Sequence, residues 1–214
     1  MLELALKRPP NFDDLSAEEQ WAIDHRLGIL DWDPSPAEVE AYRRHRAAWR
    51  VWLMFPIQES SLALPSPGSG GEFGAVRKHD IHTGVDIYCP EGTEVVAVEA
   101  GVVVAVLPFT GPETDPPSPW WNATEAVMIE NSDEVLLYGE VQALVAVGDK
   151  VEAGQIIGKV VQVLKNDKGR PMSMLHFEMY APGTRAPVWW QLGDPQPTNL
   201  LDPTPLLCSL LGAP

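Results

Sequence analysis

The sequence predicts a mainly β protein, an antiparallel β-sandwich or barrel-like domain preceded by a short helical segment. Two observations lead to this fold class. Apolar residues beyond residue 72 alternate with polar ones and are rich in valine and isoleucine, as they are in strands. Glycines separate these stretches where tight turns would fall, at Gly92, Gly101, Gly148, Gly154 and Gly158.

Residues 1–57 have the sequence signals of helices instead. Ser16 and Glu19 form a capping box, and Gly28 is placed to end that helix. Ser35 followed by Pro36 starts a second helix, whose apolar residues recur at helical spacing. This N-terminal helical segment could offer a surface to a protein partner.

A linker and one domain follow the helical segment. Residues 58–72 contain the stretch SSLALPSPGSGG, whose proline, glycine and serine content resists regular structure. Residues 73–207 form the predicted β domain, and no long helix fits between Gly71 and Tyr180. The strand-like stretches are TEVVAVEAGVVVAV, EAVMIEN, EVLLYGEVQALVAVGDKV, QIIGKVVQVL and SMLHFEMY.

Charge and composition exclude several classes of partner. The formal net charge is −15, from 15 basic and 30 acidic side chains among 214 residues. Such a balance argues against nucleic acid and against an anionic membrane surface, because both require clustered Lys and Arg. The N-terminus lacks the order of a secretory signal, and no apolar run approaches the roughly 20 residues of a membrane span. We therefore expect a cytoplasmic protein.

A proline-rich insertion between two predicted strands ends in adjacent tryptophans. This insertion, PFTGPETDPPSPWWNAT, places Trp120 and Trp121 on a loop. They could form an aromatic platform that binds substrate at a cleft, or one of them could fill a gap in the core beneath the loop. Trp189 and Trp190 allow the same two interpretations.

Three residues have the chemistry of metal ligands. His82 stands four residues before Asp86 in HTGVD, and an imidazole nitrogen and a carboxylate oxygen are ordinary zinc ligands. These two alone do not make a site. His176 is the third candidate, because on the strand SMLHFEM it shares one face with Met174 and Glu178.

Four phrases along residues 71–206 resemble, in their order, the lysostaphin/LytM family of zinc endopeptidases. They are GGEFGAVR, HTGVDIYCPEGTEVVAVEAGVVV, LHFEM and NLLDPTPLL. The resemblance implies the duplicated hybrid motif fold and one Zn²⁺ ion held by His82, Asp86 and His176. A water would complete the tetrahedron, as in catalytic zinc sites. It also implies hydrolysis of peptides of the peptidoglycan type.

Two positions depart from the family pattern, because both of its usual catalytic histidines are replaced. One falls at Glu140 in LLYGEVQ and the other at Met174. Glu140 could act as the general base, or it could bind the ion as a fourth ligand and close the site. His79 is the remaining imidazole that could enter the cleft, and a cluster without metal is the third alternative.

Two functions follow from these residues. The first is a divergent zinc metallopeptidase that hydrolyses peptide or amide bonds, with Glu140 as its base and weak or altered activity. The second is a catalytically inactive relative that keeps zinc and binds a peptide or a protein. The stretch LVAVGDKVEAGQIIG resembles the hairpin of biotinyl and lipoyl carrier domains. The sequence argues against a carrier function, because no lysine lies between Lys78 and Lys150, where the modified lysine would fall.

Overall fold

The computed structural model describes residues 54–57, 64–114, 116–167, 169 and 171–211, all of which belong to the compact unit Leu53–Pro214. Residues 1–53 of the predicted helical segment lie outside the described residues. The described part contains nine strands and one helix. They are β1 (Val85–Tyr88), β2 (Glu94–Val96), β3 (Gly101–Thr110), β4 (Thr124–Glu130), β5 (Val135–Ala143), β6 (Lys150–Val151), β7 (Ile156–Val160), β8 (Met174–Tyr180), β9 (Leu200–Leu201) and α1 (Thr204–Leu210).

The strands form one antiparallel sheet, which confirms the mainly β prediction. Its main path runs β1-β8-β5-β4-β3-β6, with β9 added to β8 and β2 added to β7. The barrel-like alternative is wrong for the described residues, because the sheet branches instead of closing. β5 is the branch point: Val135–Gly139 pairs with β8, whereas Val141–Ala143 pairs with β7.

Alternating residues of the central strands form two apolar cores. Leu136 and Tyr138 of β5 belong to the first core, whereas Val135 and Leu137 belong to the second. Side chains of successive strand residues point to opposite faces, so the two cores lie on opposite faces of the sheet. The first core also contains residues of β1 and β8, namely Val85, Ile87, Leu175 and Phe177.

Residues 54–57 differ from the helical prediction made for them. Ile57 forms a bridge with Val95 of β2, and the Met54 amide donates to the Val98 carbonyl oxygen at 2.9 Å. Phe55 and Ile57 are buried in the first core. The segment is extended because its alternating apolar side chains complete the core beside β2.

Helix α1 follows the last strand and was not predicted as a helix. Its Leu206 and Leu207 are buried in the first core. Within the described ranges, no helix has the length and apolar character needed to cross a membrane.

We expect Tyr138→Phe to destabilise the fold by about 1–3 kcal/mol, because it leaves a buried amide without its partner. Tyr138 is fully buried, and its hydroxyl accepts a hydrogen bond from the Val98 amide at 2.9 Å. The measurement is the free energy of unfolding in urea. Tyr88→Phe serves as the matched control at an exposed tyrosine, and equal losses in the two variants would contradict the assignment.

Candidate metal centre

Two neighbouring strands and the loop before them bring the predicted ligands together. Asp86 of β1 lies opposite His176 of β8 in the antiparallel register. Both alternate with residues of the first core, so both side chains lie on the other face. His82 precedes β1, where its amide donates to the Ala75 carbonyl and its own carbonyl accepts from the Gly74 amide, both at 2.9 Å.

One atom from each of the three side chains converges on a common point. His82 Nε2 lies 3.1 Å from His176 Nδ1 and 3.1 Å from Asp86 Oδ1. His176 Nδ1 lies 2.9 Å from Asp86 Oδ1. All three residues are buried. Three possible ligand atoms of the types that zinc prefers are therefore mutually adjacent.

This triangle of atoms fits one zinc ion. Zinc bonds to imidazole nitrogen and carboxylate oxygen are about 2.0–2.2 Å long, which separates tetrahedral ligand atoms by roughly 3.3–3.6 Å. The triangle of His82, Asp86 and His176 is only slightly smaller. A fourth position would remain for water or substrate.

The His82 ring is oriented by the backbone. Its Nδ1 lies 2.7 Å from the Glu72 carbonyl oxygen, which can only accept a hydrogen bond. Nδ1 therefore bears the proton, and Nε2 is left with the lone pair that a metal needs. Burial, the largest influence, lowers the pKa of His82 although its hydrogen bond to Asp86 opposes this. Burial thus favours the neutral form of His82, which is the form that binds a metal.

A carboxylate orients the His176 ring in the same way. His176 Nε2 donates to Glu178 Oε1 at 2.9 Å, which leaves Nδ1 to face the other two ligands. Glu178 is itself held by hydrogen bonds from the hydroxyls of Thr83 and of Tyr180, the latter at 2.6 Å. Carboxylate–histidine pairs of this kind fix ring orientation and raise ligand basicity in metal sites.

Arg77 holds the third ligand. Its Nη2 donates to Asp86 Oδ2 at 2.7 Å, so Oδ1 is the oxygen that faces the histidines. The same Nη2 and Nε donate to the Gly70 carbonyl oxygen. Burial would raise the pKa of Asp86, but its hydrogen bonds to His176 and His82 hold the pKa well below the usual range.

The proton of His176 competes with a metal for the same lone pair. Burial alone would lower the pKa of His176, but hydrogen bonds to Asp86 and Glu178 and their charges raise it to about 10. A metal ligand must be deprotonated, so metal binding must displace this proton. Metal affinity should therefore rise with pH toward that value.

Glu140 lies at an irregular point of β5. There the strand changes its partner from β8 to β7, and the register between β4 and β5 shifts. Among the described residues other than glycine, only Glu140 has a positive φ, of 64°. Tyr138 and Val141 both belong to the first core. The extra residue between them turns the Glu140 side chain to the opposite face, as β-bulges beside functional sites do.

The electrostatics of Glu140 agree with this placement. Burial, followed by the charge of Asp86, raises the pKa of Glu140 to about 8, although His176 and Arg77 act in the opposite sense. The side chain is 8% exposed, and its Oε2 has no hydrogen-bond partner among the described residues. Glu140 is not among the ligand atoms that lie within 4.8 Å of one another. A buried oxygen without a partner indicates a position for a bound group.

Met174, which stands where the family has a histidine, and His79 differ in their placement. Met174 is buried on β8, two residues from His176 and so on the same face. His79 is exposed in the bend between Val76 and Ile81 and is not part of the ligand cluster. The structure therefore brings Met174 to the site and leaves His79 outside it.

The tryptophan-rich loop connects β3 to β4 and is ordered by hydrogen bonds. Ser118 Oγ donates to the Gly111 carbonyl at 3.1 Å and accepts from the Gly111 amide at 2.8 Å. Trp121 forms a bridge with Leu164, and Trp120 is 62% exposed. The two rings meet edge to face, with centroids 6.4 Å apart.

Of the second tryptophan pair, Trp190 fits the interpretation as a core-filling side chain, whereas Trp189 is placed as a surface platform would be. Trp190 packs against the second core and against Phe73, with ring centroids 5.9 Å apart. Trp189 is exposed. Trp190 therefore has a structural contact, whereas Trp189 lies at the surface.

The model of peptidase family M23 matches residues 80–187, half of the chain. The matched region contains all three metal-ligand candidates. This chain belongs to peptidase family M23. The resemblance to lysostaphin/LytM enzymes is thus confirmed at the level of the family. No relative was found among curated proteins.

Several solved M23-type structures are similar to this chain. The catalytic domain of the prophage-encoded M23 protein EnpA from Enterococcus faecalis, as a point mutant, is 22% identical, with 70% of this chain and 95% of that chain covered and a TM-score of 0.44. The catalytic domain of lysostaphin from Staphylococcus simulans is 22% identical, with 75% and 96% covered and a TM-score of 0.42. A putative glycyl-glycine endopeptidase lytM from Ruminococcus gnavus is 16% identical, with 94% and 86% covered and a TM-score of 0.47.

The candidate site includes side chains that the sequence did not single out. Arg77 and Glu178 each hold a candidate ligand, and Thr83 holds Glu178. Arg77 stands in the phrase GGEFGAVR, and Glu178 shares a strand face with His176. Those two signals could have identified them, whereas the contact of Thr83 depends on tertiary structure alone.

We expect Gly84→Ala to weaken zinc binding by about 10- to 100-fold, as disturbed outer contacts of ligands do. A Cβ at Gly84 would lie 2.5 Å from the Phe177 carbonyl oxygen, 2.8 Å from His176 Nε2 and 2.9 Å from Glu178 Cγ. The measurement is zinc affinity by competition with a chromophoric chelator. Gly70→Ala is the control, because a Cβ there would meet nothing within 4 Å. Unchanged affinity in Gly84→Ala would show that this contact does not position His176.

Proposed function

We propose that this M23 protein is a divergent zinc metallopeptidase that hydrolyses peptide or amide bonds. The observation that supports this most strongly is the convergence of His82 Nε2, Asp86 Oδ1 and His176 Nδ1 within 3.1 Å of one another. Their partners hold each side chain so that a lone pair faces the common point. Such a ligand set with one open position is typical of catalytic zinc.

The zinc ion, when bound, would make a water molecule more acidic and polarise the scissile carbonyl. Glu140 is the proposed general base of this chain. Its buried carboxylate, whose Oε2 lacks a partner among the described residues, lies in the electrostatic range of Asp86 and His176. It would take a proton from the attacking water and give it to the leaving amine.

The pKa of Glu140 gives the reaction a pH dependence. A base must be deprotonated, and burial raises the pKa of Glu140 to about 8. A nearby cation lowers the pKa of a carboxyl group, so zinc binding should bring it below 8. Activity should therefore rise from acidic toward neutral pH as Glu140 loses its proton.

Met174 limits the rate that we propose. A thioether cannot donate a hydrogen bond. Where it replaces an imidazole, a developing oxyanion therefore has one hydrogen-bond donor fewer. Loss of one such donor typically costs on the order of 10²–10³ in rate. The proposed enzyme is therefore slow by comparison with members that keep both histidines.

The proposed substrates are short peptides of the peptidoglycan type, bound in part by the tryptophan-rich loop. Trp120 is largely exposed beside Trp121, on a loop that its own hydrogen bonds order. An exposed, pre-ordered aromatic pair can bind an extended peptide at low entropic cost. We further propose the duplicated hybrid motif as the architecture, residues 73–207 as the peptidase domain after the linker 58–72, and a cytoplasmic location.

A second candidate function is a pseudo-peptidase that keeps zinc and binds a peptide or a partner protein without cleaving it. The observation that favours it is the buried Met174 in place of a catalytic imidazole. The exposed Trp120 would then contribute only to the affinity for the bound peptide or protein. The same experiment separates the two candidates.

We expect Glu140→Gln to keep its zinc and to lose at least about 100-fold in hydrolysis of a glycine-rich peptide, because general bases contribute about 10²–10⁴. Cleavage is measured by mass spectrometry, and zinc is measured by elemental analysis. Glu152→Gln, at an exposed glutamate outside the site, is the matched control. Equal turnover in parent and Glu140→Gln would remove Glu140 from the mechanism.

The outcome with the parent protein decides between the two functions. A zinc-loaded parent that cleaves no peptide but binds the peptide, with affinity reduced in Trp120→Ala, would establish the pseudo-peptidase. A parent that cleaves would establish the enzyme. Trp120→Ala with unchanged affinity would remove the aromatic platform from either account.

A further inference from the structure

The site has a shortage of hydrogen-bond donors that face its interior. The proton on His82 Nδ1 is donated to the Glu72 carbonyl, and the proton on His176 Nε2 to Glu178. The hydroxyls of Thr83 and Tyr180 also donate to Glu178. These donors hold the scaffold, so they are not directed at a ligand.

Arg77 differs from these donors, because one of its N–H groups is not used to hold the scaffold of the described site. Its Nε and Nη2 donate to Gly70 and Asp86, whereas Nη1 makes no hydrogen bond with any described residue. The side chain of Arg77 is 36% exposed, and that of Asp86 is 7% exposed. One edge of the guanidinium is thus fixed to a metal-ligand candidate while solvent still reaches the group.

The charge of Arg77 acts inside the site. Arg77 Nη2 lies 2.7 Å from Asp86 Oδ2, and the other oxygen of that carboxylate lies within 3.1 Å of His82 Nε2 and His176 Nδ1. The guanidinium therefore lies directly beside the atoms that converge at the candidate metal position. The planar fork of a guanidinium presents its donors in fixed directions.

We propose that Arg77 is a catalytic residue of this site, whose Nη1 donates a hydrogen bond to the carbonyl oxygen of the substrate as negative charge develops on it. This inference rests on the proposed function, because it assumes a substrate at the open position beside His82, Asp86 and His176. Arg77 supplies a donor at a site where Met174 offers none. The ligand class is a peptide carbonyl or an anion that mimics its tetrahedral intermediate.

The test separates donation to a ligand from the positioning of Asp86. Arg77→Gln and Arg77→Lys are compared with the parent, and acetohydroxamate is the probe, because its oxygens bind zinc and accept hydrogen bonds. Zinc affinity and probe affinity at saturating zinc are both measured by calorimetry. Arg185→Gln is the matched control, because Arg185 forms an exposed ion pair with Glu130.

At saturating zinc, Arg77→Gln should weaken the probe by about tenfold or more, the usual effect of losing a charged hydrogen bond. Arg77→Lys should lie between it and the parent, and Arg185→Gln should match the parent. With a cleaved peptide, kcat should fall by about 10²–10³ with little change in KM.

Unchanged probe affinity in Arg77→Gln, with or without weaker zinc binding, would overturn the donor role and leave the proposed function standing. A parent that binds no zinc would overturn the proposed function and this inference together.

Discussion

The site depends on one strand pairing, the antiparallel contact of β1 with β8 that sets Asp86 opposite His176. Because alternate residues of both strands are buried in the first core, a one-residue register slip of either strand would turn its candidate ligand into that core. The apolar residues Val85, Ile87, Leu175 and Phe177 therefore also determine which atoms face the candidate metal site. Stability and ligand geometry come from the same alternation.

The second constraint is the branch in β5. The sheet requires this strand to leave β8 and to join β7, and Glu140 occupies the point of change with a left-handed backbone. For a residue other than glycine this conformation costs about 1–3 kcal/mol, so the surrounding pairing must compensate for it. Together with Arg77, the bulge supplies a carboxylate and a guanidinium at a site where Met174 offers neither acid–base nor donor chemistry.

Sequence patterns predicted the parts of this site that local chemistry determines. Alternation predicted the antiparallel sheet, residue type and strand periodicity made His82, Asp86 and His176 candidate ligands, and the family resemblance joined them into one predicted site. The branching of the sheet was not predicted, because it depends on which strands pair at long range. The orientation of Glu140 and the contacts of Arg77 and Glu178 depend on that same pairing. Residues 54–57 were predicted as helix because nothing local shows that Phe55 and Ile57 complete a distant core.

The most direct test is calorimetric zinc titration at pH 7 in two buffers of different ionisation enthalpy, with His176→Ala as the comparison. The account predicts one zinc per chain and the release of about one proton or more, because the His176 pKa of about 10 means that the ion must displace its proton. His176→Ala should lose most of the affinity. Zinc binding of equal strength in the variant, or no binding in the parent, would contradict the account of the metal centre.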